Sequence, residues 1–120
     1  MTDESILLVD DDGDIIFHFE NILKKEGYSV VSASYGKEAL LKIKDNKFDV
    51  AIIDIMLPDM RGDQLAKDLR KKEPSLKLIF ITGFSYMDEC IKALDIGISE
   101  ILLKPISQDE LLNTVKNVFE

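Results

Sequence analysis

Residues 6–12 read ILLVDDD, so four consecutive apolar side chains are followed directly by three carboxylates. A second stretch, VAIID at residues 50–54, repeats this arrangement and ends in one Asp. Both runs are apolar at every position rather than at alternate positions, which is typical of a strand covered on both faces, as in a parallel sheet. These two stretches therefore predict buried parallel strands that end in acidic residues.

The remainder of the chain alternates between runs of this kind and longer segments with a helical period. Three further apolar runs lie at residues 30–33, 76–81 and 101–103. Segments whose apolar residues recur as on one face of a helix lie around residues 15–23, 39–43, 65–69, 87–94 and 111–119. Each predicted strand is thus followed by a predicted helix, which gives five β-α units.

Successive β-α units with right-handed crossovers form either an open sheet or part of a barrel. A barrel needs eight units and about 250 residues, whereas this chain has 120 residues. The sequence therefore predicts an α/β fold: a flavodoxin-like, doubly wound parallel sheet of five strands in the order 2-1-3-4-5, with five helices. The length also indicates a single domain, which we expect to occupy residues 1–120.

The chain is acidic, and its charge is unevenly distributed. The 23 acidic and 15 basic side chains give a net charge of −8, which opposes binding to nucleic-acid phosphates or anionic lipids. Residues 1–60 hold 13 of the acidic and 6 of the basic side chains. No apolar run approaches the about 18 residues that span a bilayer, and the start is acidic where a secretory signal would be basic. We expect a cytoplasmic protein that binds neither membranes nor nucleic acid directly.

Polar residues stand at the carboxyl ends of four predicted strands. They are Asp10 and Asp11 after strand 1, Asp54 after strand 3, Thr82 after strand 4 and Lys104 after strand 5. In open α/β sheets, ligands bind beyond these ends where the winding reverses, which for this strand order lies between strands 1 and 3. The sequence therefore predicts a binding site at this edge of the sheet.

The chemistry of these side chains favours a metal-assisted phosphoryl site. Converging carboxylates repel by roughly 1–4 kcal/mol per pair at about 4 Å, so a cation is needed to relieve them. Oxygen ligands without His or Cys select a hard cation, and Mg²⁺ fits best. Asp54 could then act as a nucleophile that forms an aspartyl-phosphate, with Lys104 and Thr82 stabilising the phosphoryl oxygens.

Each of these residues also has a structural interpretation. For Asp12 and Asp14 we favour it, because either residue suits the N-cap of the first helix. Lys104 could be a solvated strand end, and Thr82 could start a turn before Gly83. For the remaining carboxylates a purely structural role explains little, since it leaves their repulsion unrelieved.

The sequence resembles the receiver domains of two-component response regulators over the whole chain. Five segments carry the resemblance: VDDD at 9–12, GYSVVSASYGKEAL at 27–40, DVAIIDIMLPDMRG at 49–62, FITG at 80–83 and GISEILLKPI at 97–106. Any one of them is a weak signal, whereas five in register are specific. The resemblance implies a phosphorylation-activated signalling protein rather than an enzyme, although such domains assist their own phosphorylation and dephosphorylation.

The resemblance also implies a role for each acidic residue of the site. Asp54 would accept a phosphoryl group from a histidine kinase or a histidine phosphotransfer protein and become a 4-aspartylphosphate. Asp11 and Asp54 would bind Mg²⁺ directly, the main-chain carbonyl of Met56 would be a further ligand, and Asp10 would act through water. No output domain is expected within residues 1–120.

The response to phosphorylation is implied in the same way. Thr82 would bond one phosphoryl oxygen, Lys104 would pair with another, and Gly83 would leave room beside them. The bond between Lys104 and Pro105 would be cis. The surface formed by the predicted helix 4, strand 5 and helix 5 would then change and control a downstream protein or an output domain.

Three positions modify this expectation. Family members often carry Tyr or Phe at the position of Ile101, so coupling through an aromatic side chain is in doubt in this chain. Met56 and Phe84 occupy positions where the family tunes access of water to the phosphoaspartate. Because both are bulky and apolar here, we predict slow hydrolysis of the phosphorylated form.

Other functions fit the sequence less well. A haloacid-dehalogenase-type phosphatase would need a second Asp two positions after its nucleophile, where this chain has Met56. A flavodoxin-like cofactor binder would need a Ser/Thr/Gly-rich phosphate loop after strand 1, where this chain has acidic residues. A degenerate receiver that serves only as a protein-docking module remains the alternative.

Overall fold

Strands and helices alternate along the residues that the structure, a computed structural model, describes: 4–83 and 97–119. The strands are β1 (Ser5–Val9), β2 (Ser29–Ala33), β3 (Val50–Asp54), β4 (Lys77–Thr82) and β5 (Glu100–Leu103). The helices within these ranges are α1 (Gly13–Lys25), α2 (Gly36–Asp45), α3 (Gly62–Lys72) and α4 (Gln108–Phe119). The helix predicted at residues 87–94 lies outside the described residues, so α4 corresponds to the predicted fifth helix.

All five strands are parallel and form one sheet in the order β2-β1-β3-β4-β5. This confirms the predicted fold class and strand order. Pairing extends β3 to Asp54, which lies opposite Ile81, and β4 to Thr82, which lies opposite Leu103. Two of the predicted site residues are therefore the last residues of paired strands.

One strand begins later than predicted. We expected the fourth strand to start at Leu76, but β4 starts at Lys77. The amide of Leu76 instead donates to the carbonyl of Glu73 at 3.0 Å, in the turn that follows α3. The side chain of Leu76 is buried all the same, so its apolar character reflects packing in the core rather than pairing in the sheet.

The sheet is covered on both faces, which explains why the interiors of β1, β3 and β4 are apolar at consecutive positions. Successive side chains of a strand point to opposite faces. Leu7 and Val9 pack with α2 and α3 on one face, whereas Ile6 and Leu8 pack with α1 and α4 on the other. Burying each such side chain contributes about 1.5–3 kcal/mol, so both faces stabilise the fold.

The ends of α1 follow from local sequence signals. The Asp12 carboxylate accepts hydrogen bonds from the amides of Asp14 (3.0 Å) and Ile15 (3.4 Å), which makes Asp12 the N-cap. The helix is followed by Gly27 with a φ of 96°, a left-handed conformation that favours glycine. The structural interpretation is thus confirmed for Asp12, and Asp14 lies in the first turn.

None of the helices in the described ranges has the length and apolar character needed to span a bilayer.

Candidate functional site

Three of the predicted acidic residues lie together at the carboxyl edge of the sheet. One carboxylate oxygen from each of Asp10, Asp11 and Asp54 lies within 4.8 Å of the other two. We call these three residues the acidic cluster. The register explains this closeness, because Val9 of β1 pairs with Ile53 of β3 and the acidic residues follow directly. Asp10 is fully buried and Asp54 almost so, whereas Asp11 is exposed.

Lys104 brings a positive charge to the same group of side chains. Its Nζ lies 2.8 Å from Asp54 Oδ2 and 3.1 Å from Asp10 Oδ2. The backbone supports this position, since the Lys104 amide donates to the carbonyl of Thr82 at 2.8 Å. The bond between Lys104 and Pro105 is cis, as the sequence resemblance implies. Lys104 therefore contacts two residues of the acidic cluster and is not a solvated strand end.

Burial and charge shift the ionisation of this cluster. Burial is the largest influence on Asp10 and, together with the nearby charge of Asp54, raises its pKa to about 6 despite the Asp12 amide and Lys104. For Lys104, burial acts to lower the pKa, but the contacts of its ammonium group with Asp54 and Asp10 outweigh it and raise the pKa. Among the described residues, the three carboxylates of Asp10, Asp11 and Asp54 are therefore accompanied by one ammonium group, which contacts two of them, and the group of side chains carries excess negative charge.

One buried oxygen of Asp10 has unused acceptor capacity. Asp10 Oδ1 accepts a hydrogen bond from the Asp12 amide at 2.9 Å. Asp10 Oδ2 is buried and accepts no hydrogen bond from the residues that the structure describes, so its contact with Lys104 is that of an ion pair. Buried polar atoms are normally satisfied, and this oxygen-only, negatively charged group could hold a hard divalent cation.

Thr82 lies beside the acidic cluster but is bonded along its own chain. Its side chain is fully buried, and Oγ1 donates to the carbonyl of Gly83 at 3.2 Å. A Cβ added to Gly83 would have no atom of the described residues within 4 Å. The Thr82 hydroxyl therefore has a local partner that it can leave.

The loop after β3 holds Asp54 and Met56 in a closed turn. Asp54 Oδ1 accepts from the Met56 amide at 3.0 Å. Met56 and Arg61 form an antiparallel bridge, and the Gly62 amide donates to the carbonyl of Ile55 at 2.7 Å. The Met56 side chain is 38% exposed beside this turn, where it can influence access of water to Asp54.

Two residues that support this turn were missed by reasoning from the sequence. A Cβ on Gly62 would lie 2.5 Å from the carbonyl oxygen of Asp54, so α3 can start this close to β3 only with glycine. The Asp59 carboxylate accepts from the amides of Gly36 (2.8 Å) and Lys37 (3.0 Å) at the start of α2. The segment PDMRG at 58–62 contains both residues, but only tertiary structure reveals their partners.

Two further predictions concern the region near β5. Ile101 is half-buried and packs against the core between the sheet and helices α2 and α3. An aliphatic residue thus occupies this position within the packed interior. Phe84 and the predicted helix at 87–94 lie outside the described residues.

Comparison with known proteins agrees with this geometry. A sequence model of the response regulator receiver domain matches residues 6–116. A crystal structure of a CheY-like response regulator receiver domain protein from Methanospirillum hungatei is similar, with a TM-score of 0.91 and 35% identity over 97% of this chain and 93% of that one. The chemotaxis response regulator CheY4 of Vibrio cholerae has a TM-score of 0.89 and 29% identity over 98% of this chain and 99% of its own.

A similar sequence also forms one part of longer proteins. The response regulator SaeR of Staphylococcus aureus is 30% identical over 113 residues, which are 94% of this chain and 49% of SaeR. The chain spans about half the length of the curated relatives it matches. The family match covers nearly all of the described fold and includes every residue of the acidic cluster. The chain belongs to the response regulator receiver domain family of two-component systems.

Proposed function

We propose that this chain is a phosphorylation-activated switch in which Asp54 accepts a phosphoryl group from a histidine kinase or a histidine phosphotransfer protein. An Asp54 oxygen would attack the phosphorus of the phosphohistidine, forming a P–O bond as the P–N bond breaks, and the imidazole leaves and takes up a proton. The observation that carries the proposal is the burial of Asp54 beside two further carboxylates, with Lys104 Nζ only 2.8 Å from its Oδ2.

The acidic cluster supports Mg²⁺ as the metal in this reaction. Asp11 and Asp54 would hold it directly, with the main-chain carbonyl of Met56 as a further ligand and Asp10 acting through water. When bound, Mg²⁺ would offset the negative charge of the carboxylates and of the incoming phosphoryl oxygens. The excess negative charge and the unused acceptor capacity of Asp10 Oδ2 support this assignment.

Lys104 and Thr82 would then couple phosphorylation to a change of shape. Lys104 would keep its contact with Asp54 and pair with a phosphoryl oxygen. Thr82 would leave the carbonyl of Gly83 and donate to another phosphoryl oxygen, which would pull the end of β4 toward the site. The affected surface would comprise the segment 84–96, β5 and α4, and a downstream protein or output domain would bind it.

A cleft lies beside the acidic cluster and could receive the protein that donates the phosphoryl group. The cleft has a volume of about 550 Å³, and its largely apolar lining includes Ile15, His18, Pro105 and Ile106. Lys104 also lines it, so an apolar partner surface seated there would lie next to the phosphoacceptor. We propose this face of α1 and the segment after β5 as the docking place of the kinase or phosphotransfer protein.

We further propose that residues 1–120 form one receiver domain. Its role would be that of a signalling protein rather than an enzyme. The cytoplasm is its proposed location, because the ATP from which a histidine kinase draws its phosphoryl group is found there. The net charge of −8 supports action through proteins rather than through direct contact with nucleic acid or membranes.

Phosphorylation by a small donor tests the proposal. After incubation with acetyl phosphate and Mg²⁺, mass spectrometry is expected to detect one added phosphoryl group on the wild type and none on Asp54→Asn. Asp49→Asn is a matched control, since Asp49 precedes the same strand at its other end and accepts from the Ser5 amide at 2.9 Å. Failure of the wild type to gain the group would favour a docking-only module, whereas retention of it by Asp54→Asn would show that the phosphoacceptor is a different residue.

A further inference from the structure

A second contact region connects the loop after β3 to a helix that holds none of the predicted site residues. Residues 55–61, here called the 55–61 loop, end at the start of α3, but their tip reaches α2. Both carboxylate oxygens of Asp59 are used: Oδ1 accepts from the Gly36 amide and Oδ2 from the Lys37 amide. These are the first two residues of α2, whose amides have no partners within the helix.

The helix depends on the loop for its cap. The N-cap residue of α2, Tyr35, makes no side-chain capping bond. Asp59, more than twenty residues away in sequence, takes over this function and also places a negative charge at the positive end of the helix dipole. Burial acts to raise the pKa of Asp59, but the bonds from Lys37 and Gly36 outweigh it and lower the pKa. The carboxylate is therefore charged at neutral pH.

A packing contact supports the same connection. A Cβ on Gly36 would lie 2.5 Å from Sδ of Met60, so the Met60 side chain packs directly against the first residue of α2. Met60 is partly buried against the core that α2 and α3 share. The tip of the loop is thus held to α2 by two hydrogen bonds and by close packing on one side.

The other end of the loop carries the predicted metal ligands. Asp54 and Met56 are joined by the bond between Asp54 Oδ1 and the Met56 amide. The bridge from Met56 to Arg61 transmits the position of the loop tip to this end over a few residues. A shift of the tip would therefore rotate the peptide group that contains the Met56 carbonyl.

We propose that Asp59 is a positioning residue, which holds the 55–61 loop on α2 so that the Met56 carbonyl and Asp54 are preorganised for Mg²⁺. This inference rests on the proposed function, because it assumes that the acidic cluster binds Mg²⁺. Asp59 itself does not touch the metal or the phosphoryl group. Its contribution comes through the backbone, as with outer residues that orient the ligands of a metal.

Mg²⁺ binding and phosphorylation by acetyl phosphate, measured in parallel, test this role. In Asp59→Ala we expect the Mg²⁺ concentration for half-maximal phosphorylation to rise about tenfold, the lower end of what loss of an outer-shell partner costs. The rate at saturating Mg²⁺ is expected to stay within about twofold of the wild type, since the phosphoacceptor is intact. Asp59→Asn keeps one acceptor oxygen, so its Mg²⁺ concentration for half-maximal phosphorylation is expected to lie between those of the wild type and Asp59→Ala.

The matched control is Glu38→Ala. Glu38 lies in the first turn of the same helix, and its carboxylate accepts from the Ser34 amide at 2.5 Å rather than from the loop. Glu38→Ala therefore removes a hydrogen bond just before α2 while leaving the 55–61 loop in place, and its Mg²⁺ dependence is expected to match the wild type. Equal Mg²⁺ dependence in Asp59→Ala and wild type would overturn the proposal alone. A wild type that neither binds Mg²⁺ nor accepts phosphate would overturn the proposed function as well.

Discussion

The sheet has an amino edge and a carboxyl edge, where its parallel strands begin and end, and these two edges use charged residues in opposite ways. At the amino edge, Asp49 accepts from the Ser5 amide at 2.9 Å, and Lys77 donates to the carbonyl of Val118 at 2.6 Å. Both residues are exposed, and each ties neighbouring segments together. At the carboxyl edge, by contrast, two carboxylates are buried beside a third, and the cation among them is Lys104.

The difference separates structural charges from charges held for a ligand. Charges at the amino edge are solvated and hydrogen-bonded to backbone groups, so each contributes little to stability and costs little to keep. Those at the carboxyl edge are desolvated and carry excess negative charge, which destabilises the fold until a cation or proton arrives. Substitutions at the two edges are therefore expected to have different consequences.

The largest contrast is expected between the two lysines. Lys104→Met removes the positive charge that faces Asp10 and Asp54, and we expect a loss of about 2 kcal/mol in the free energy of unfolding without Mg²⁺. Complete burial would give about 3–5 kcal/mol, but Lys104 keeps some contact with solvent. Lys77→Met should cost less than about 1 kcal/mol. Urea unfolding at pH 7 measures both, and equal losses would contradict the contrast between the edges.

The pH dependence of stability isolates the contribution of Asp10. Its folded pKa is about 6, above the unfolded value near 3.8, so the folded state binds more protons between these values. Without Mg²⁺, this group makes the free energy of unfolding fall as pH rises from about 4 to about 6, by about 2 kcal/mol. Below about pH 4 and well above 6 its contribution is constant. The difference between the wild type and Asp10→Asn measures it, and parallel pH profiles would count against the buried charge.

A smaller effect is expected from Gly62, which packs against the backbone of Asp54. In Gly62→Ala the new Cβ would meet the backbone of Asp54 and Ile55, which cannot yield easily. We expect the free energy of unfolding, measured by thermal denaturation, to fall by about 1–2 kcal/mol. Phosphorylation by acetyl phosphate should also be slower. Gly13→Ala is the control, because a Cβ there has no atom within 4 Å. If both variants behaved like the wild type, the close approach of α3 to β3 would have no functional weight.

The smallest effect concerns the lifetime of the phosphorylated form. Met56 is partly exposed beside Asp54 and should hinder the approach of water, so Met56→Asn is expected to speed hydrolysis several-fold, or about 1 kcal/mol in activation free energy. Phe84→Glu is expected to act in the same direction. Loss of the phosphoryl group over time, followed by mass spectrometry after removal of the donor, gives both rates. No acceleration in either variant would contradict the prediction.

The sequence predicted most of the carboxyl edge because each site residue interrupts or ends an apolar run. Asp10, Asp54 and Lys104 stand where the apolar runs of β1, β3 and β5 end, and the strand order then brings them together. The roles of Asp59 and Gly62 could not be predicted, since their partners are backbone atoms on other elements. Local patterns record what a residue is next to in sequence, whereas these contacts depend on how the elements pack.

The central claim, that the carboxyl edge stores negative charge for a divalent cation, is tested most directly by the melting temperature as a function of Mg²⁺. The wild type should be stabilised by about 2.7 kcal/mol at a hundred times the dissociation constant. NaCl of equal ionic strength should give little of this effect, and Asp54→Asn should lose most of it. A wild-type melting temperature that millimolar Mg²⁺ raises no more than NaCl does would contradict the claim.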